Sequence, residues 1–136
     1  TEKVLHHFGG KLKGKTLAVL GLSFKPDTDD MRAAPSVGII ETLMSHGATI
    51  RAYDPVAKEN ARKVLPKGVF YAKDAYDAAA TADAVIIITE WNEFRQIDLV
   101  KLAKGLNARV LFDGRNIYDP GRVKQLGFVY YGVGRM

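Results

Sequence analysis

TLAVLG at residues 16–21 and AVIIIT at residues 84–89 are short runs, apolar at nearly every position, and a glycine closes the first. A strand with one wet face alternates apolar and polar side chains. A run without alternation is buried on both faces, as in a parallel sheet covered by helices on each side. Further strands are expected at 49–54 (TIRAYD), 69–71, 109–113 (RVLFD) and 128–133. Helical stretches lie between them. Pro35 opens one with Val37, Ile40, Leu43 and Met44 on one face and Gly47 as its C-cap. Ala57, Ala61, Val64 and Leu65 mark a second, ended by Pro66, and Asp74 caps a third through Tyr76 and Ala79. A fourth surrounds Leu99, Leu102 and Ala103, and Asp119-Pro120 forms an N-cap and first-turn pair for a helix carrying Val123 and Leu126.

Strands separated by helices imply right-handed crossovers. The expected fold is therefore a single α/β domain: a doubly wound, mainly parallel, Rossmann-like sheet with helices on both faces. With 136 residues and 47% apolar content, the chain has the size of one domain with a core of its own. It contains no cysteine, which excludes disulfides, thiolate metal sites and a thiol nucleophile within it. No stretch approaches the roughly eighteen apolar residues of a membrane span, and the start lacks the apolar core of a secretory signal, so a cytoplasmic location without membrane partners is expected. The net charge of +5 is spread along the chain. Its one local cluster, Lys11, Lys13 and Lys15, lacks the interleaved aromatics of a single-strand-binding surface, and no nucleic-acid partner is expected. The chain starts at Thr1, and Val4, Leu5 and Phe8 have helical spacing before Gly9-Gly10, as if a helix were joined partway. Residues 1–10 are thus expected to be the tail of a connection from an upstream domain, and 11–136 the domain proper.

Ligands of open parallel sheets bind beyond the carboxyl ends of the strands, where strand order reverses. The first loop there is LSFKPDTDDMRAA at 22–34. After Gly21, Ser23 and Pro26 stand where a dinucleotide fingerprint has its second and third glycines, so a standard NAD site is not expected. The loop carries Lys25, Asp27, Asp29, Asp30 and Arg32. It reads either as a salt-bridged connector or as a cationic edge for a diphosphate, with the aspartates orienting the cations. The aspartates lack the glycine and distal glutamate of a calcium loop, and no metal site is expected. Asp54 reads as a turn residue before Pro55 and Trp91 as a core side chain. Arg115, beside Gly114, is expected to face the same crevice as Lys25. His6, His7 and His46 lie outside these loops and have no role in this reading.

The string GLSFKPDTDDMRAAPS (21–36), with YDP (53–55), TEW (89–91) and DGRNIY (113–118) in order along the chain, resembles the carboxy-terminal UDP-binding domain of the UDP-glucose/GDP-mannose dehydrogenase family. The resemblance implies a larger enzyme with an amino-terminal NAD domain, a long central helix mediating a homodimer or higher assembly, and this domain closing over UDP-glucose or UDP. Such an enzyme oxidises the C6 alcohol of its sugar nucleotide to the acid in two NAD-dependent steps on a catalytic cysteine, which would lie in the upstream domains. No catalytic residue is expected within this chain. Phe24, Lys25 and Arg115 match positions that contact the sugar nucleotide, and Arg32 matches one that reaches the cofactor. The family commonly places an acidic residue directly after that arginine; here it is Ala33.

Overall fold

A computed structural model describes residues 1–133. Six parallel strands run through it: β1 (Thr16–Leu20), β2 (Thr49–Tyr53), β3 (Phe70–Tyr71), β4 (Ala84–Ile87), β5 (Val110–Asp113) and β6 (Val129–Gly132). Their order is β3-β2-β1-β4-β5-β6. Each expected strand is present, and every pairing is parallel. The apolar run at 84–89 outlasts its ladder by two residues: the N–H of Ile88 still bonds to the Leu20 carbonyl at 2.9 Å, and Thr89 turns toward the loop after β1.

Among the described residues, seven helices connect and cover the strands: α1 (Glu2–His7), α2 (Pro35–Ser45), α3 (Lys58–Val64), α4 (Ala75–Ala79), α5 (Asn92–Arg95), α6 (Leu99–Gly105) and α7 (Pro120–Gln125). The Asp74 carboxylate accepts from the Asp77 N–H at 2.7 Å and Asp119 from the Arg122 N–H at 3.0 Å, as expected of N-caps. Asp98 does the same for α6, receiving the N–H groups of Val100 and Lys101. At the end of α2 the cap is His46, and Gly47 follows with a φ of +99°.

The unbroken apolar strands divide their side chains between two cores. Leu17, Val19, Ile50, Ile86 and Phe112 pack under α1, α2 and α3, and Leu20, Val85, Ile87 and Leu111 pack under α4, α5, α6 and α7. On the first face, Pro35 and Ile39 of α2 reach the end of β4, while Phe112 of β5 and Tyr131 of β6 lie against α1. That helix is anchored by the buried Val4, by Lys3 Nζ donating to the Gly132 carbonyl, and by His7 Nδ1 at 2.8 Å from the Tyr131 hydroxyl. A cleft lies beside it. Among the described residues no helix is long and apolar enough to cross a membrane.

Candidate functional site

Strand order reverses between β1 and β4, and the loop after β1 is built against the end of β4. Gly21 has a φ of +92°, and a Cβ there would lie 2.6 Å from the Thr89 backbone nitrogen. The close approach of two strand ends requires this glycine. Beyond it the backbone is fastened from three directions. Asp54 Oδ2 accepts from the N–H groups of Leu22 and Ser23 at 2.8 and 3.0 Å, Ser36 Oγ donates to the Leu22 carbonyl at 2.6 Å, and Thr89 Oγ1 donates to the Ser23 carbonyl at 2.8 Å. The other Asp54 oxygen accepts from Val56 and Ala57 at 3.0 and 2.8 Å. Phe24 and Lys25 follow directly, exposed on a braced backbone, and the Phe24 N–H closes the loop onto the Asp30 carbonyl at 2.8 Å.

The turn after β5 is braced just as heavily. The Gly114 N–H donates to the Ile87 carbonyl at 2.9 Å, and a Cβ on Gly114 would lie 2.6 Å from that oxygen. Asp113, buried at 1% exposure, accepts from the Arg115 N–H at 3.2 Å, the Tyr118 N–H at 3.0 Å and the Tyr130 hydroxyl at 2.8 Å. Asn116 and Val133 exchange two hydrogen bonds at 2.8 and 2.9 Å. Arg115 leaves this turn toward β4. Its Nε donates to the Ile88 carbonyl at 2.9 Å, and Glu90 Oε2 lies 3.0 Å from the same nitrogen.

Arg115 lines a cleft of about 640 Å³ over the ends of β4, β5 and β6, opposite Pro35 and Ile39. Its wall is largely apolar, with Ile86, Ile88, Phe112 and Tyr131, and Glu2, Lys3 and Asp113 also line it. Phe112 and Tyr131 stack with ring centroids 4.8 Å apart. A flat or apolar moiety fits such a wall, and an anion fits the guanidinium at its edge.

The four expected site residues fall in three places. Phe24 and Lys25 sit on the β1 loop and Arg115 on the β5 turn, both loops fastened to residues 87–89 at the end of β4, yet neither Phe24 nor Lys25 lines the Arg115 cleft. The crevice they were expected to share is thus one sheet edge with two separate surfaces. Arg32 stands apart, in a groove with Asp30, Asn60 and Lys63. Its Nε and Nη2 donate to the two Asp30 oxygens at 3.0 and 3.1 Å, and its side chain is 92% exposed. The bidentate pair holds the Asp30 carboxyl below the usual carboxylate range and the guanidinium above its own. The pair fits both the salt-bridged connector and the oriented cation that the sequence allows. Glu90 had no expected role; its only sequence signal is a polar TEW step directly after the most apolar strand.

A dinucleotide does not fit this edge. Gly21 serves strand packing, Ser23 is buried where the second glycine would stand, and Asp54, at the ribose-acid position, spends both oxygens on backbone N–H groups. Trp91, 8% exposed, packs in the second core as expected.

A profile of the UDP-glucose/GDP-mannose dehydrogenase family, UDP binding domain, matches residues 18–120. UDP-glucose 6-dehydrogenase of Rhizobium meliloti is 47% identical over 134 residues, an alignment that takes in 98% of this chain and 30% of the relative. Among solved structures, a UDP-glucose dehydrogenase from Pyrobaculum islandicum superposes with a TM-score of 0.78 at 34% identity, covering 98% of this chain and 28% of that one. A UDP-D-ManNAc dehydrogenase from Pyrococcus horikoshii gives a TM-score of 0.76 at 27% identity, with 98% and 29% covered. The chain therefore spans about 30% of the length of the curated relatives it matches.

Proposed function

The chain belongs to the UDP-glucose/GDP-mannose dehydrogenase family, and from that premise we propose that it is the UDP-binding domain of a longer, cytoplasmic UDP-glucose 6-dehydrogenase. In this role it supplies binding energy and closure over the sugar nucleotide. The upstream domains supply the cysteine, the NAD site and the contacts of a homodimer or larger assembly. Binding of the remote nucleotide positions the reacting sugar carbon without this domain touching it.

One observation supports this reading above the others. Arg115 is held at Nε over the ends of the central strands and lines a cleft with a largely apolar wall, as an anion-binding side chain must be if its planar fork is to meet a diphosphate. Lys25, exposed on the neighbouring braced loop, adds a mobile point charge to the same sheet edge. Phe24, 44% exposed, offers a ring beside it. Arg32, in its separate groove with Asn60 and Lys63, takes the cofactor side, across the domain boundary, as the family resemblance implies.

The test is functional. The intact protein mixed with UDP-glucose and NAD should form NADH, and this chain alone should form none at any concentration. NADH from the chain alone, or an intact protein inert toward UDP-glucose but active on another sugar nucleotide, contradicts the proposal.

A further inference from the structure

Arg115 would meet a diphosphate only if its guanidinium waits in one orientation, and a long side chain 40% exposed has many. Two contacts remove that freedom. The single Nε–H is donated to the Ile88 carbonyl, and the Glu90 carboxylate faces the same nitrogen at 3.0 Å, adding charge where the proton is already committed. Glu90 Oε2 is itself buried and receives no hydrogen bond. That oxygen has lost water without gaining a donor and so stabilises the domain poorly, although the side chain remains 32% exposed. Its geometry points outward, to the cation it holds. Among the described residues the hydrogen bonds of Arg115 run only through Nε and the backbone N–H, leaving Nη1 and Nη2 outside these contacts.

We infer that Glu90 is a positioning residue for anion binding: it fixes the Arg115 stem so that the two terminal amino groups face the diphosphate. The inference rests on the proposed function, since it assumes that Arg115 is an anion ligand.

The sign of the effect separates this role from that of a surface charge. A carboxylate beside a diphosphate repels it, so removing a bystander glutamate tightens UDP binding. Removing a positioning glutamate weakens it. In calorimetric titrations of the chain with UDP, Glu90→Ala should lower affinity about two- to tenfold, the usual cost of ordering one long side chain at the moment of binding. Glu90→Gln, which keeps the shape but not the charge facing Nε, should lower affinity about as much as Glu90→Ala. In an Arg115→Ala background, Glu90→Ala should weaken binding no further. Equal or tighter UDP binding by Glu90→Ala, alongside clear loss in Arg115→Ala, overturns the role of Glu90 alone. No loss in Arg115→Ala itself overturns the underlying reading and this inference with it.

Discussion

Asp54, at the end of β2, accepts the N–H of Ser23, thirty-one residues earlier at the end of β1, at 3.0 Å, with the Leu22 N–H on the same oxygen at 2.8 Å. A carboxylate that is 6% exposed thus holds the root of the loop carrying Phe24 and Lys25. Asp54→Ala should destabilise the fold by about 3 kcal/mol or more, because several buried donors lose a charged acceptor together. Asp54→Asn, which keeps one acceptor oxygen, should cost less. Urea unfolding of the three chains checks the ranking, and a stable Asp54→Ala chain would reduce Asp54 to an ordinary turn residue.

Gly21→Ala should destabilise by about 2 to 4 kcal/mol, combining left-handed backbone strain with overlap against its neighbour. Truncating Thr89 should not rescue it, since one clashing atom is the Thr89 backbone nitrogen. A normal melting temperature for Gly21→Ala would mean that the two strand ends stand further apart than 2.6 Å to a Cβ implies.

His7 is enclosed by Phe8, Phe112 and Tyr131, with ring centroids 4.7, 5.9 and 5.5 Å away. Burial, with the adjacent His6 adding to it, holds its pKa below the ordinary 6.5. The unfolded chain therefore binds the proton more readily, and stability from this group is complete above pH 6.5 and falls as pH drops through the folded pKa. Melting temperature should decline from pH 7.5 toward pH 5, and His7→Phe should flatten that part of the profile. An unchanged slope in His7→Phe would assign the dependence to other groups.

Arg32 and Lys25 belong to one charged loop, yet their roles should separate cleanly. Arg32 is paired with Asp30 in its own groove, so Arg32→Ala should leave the UDP affinity of this chain within about twofold and its melting temperature unchanged. In the intact enzyme the same change should raise the Michaelis constant for NAD more than that for UDP-glucose, and Arg32→Lys should restore little, since a point charge does not reproduce a planar fork. A tenfold loss of UDP affinity in the isolated chain would make Arg32 a ligand of the nucleotide.

The runs at 16–21 and 84–89 and the caps Asp74 and Asp119 were legible because the signals are local: one segment carries both the pattern and its cause. The cap at Asp98, directly before Leu99, was not read although its signal is as local as that of Asp74, and α5 was missed because four residues carry no period. The brace on the β1 loop was legible only as a turn at Asp54, since its partners, Leu22 and Ser23, lie far upstream and meet it only through the β1–β2 pairing. Lys25 and Arg115 stand on separate loops, after β1 and β5, and only Arg115 lines the cleft, a division no linear motif records. Glu90 was hidden for the same reason: its meaning is its distance from Arg115.

Arg115 and Lys25 are proposed to hold the UDP part of a sugar nucleotide at this sheet edge. A calorimetric titration of the chain with UDP tests this most directly. The expected result is a saturable heat with a dissociation constant of about 0.1 to 1 mM, raised roughly ten- to a hundredfold by Arg115→Ala and by Lys25→Ala, the usual worth of a hydrogen bond to a charged group. No heat at millimolar UDP, or an affinity indifferent to both substitutions, would contradict it.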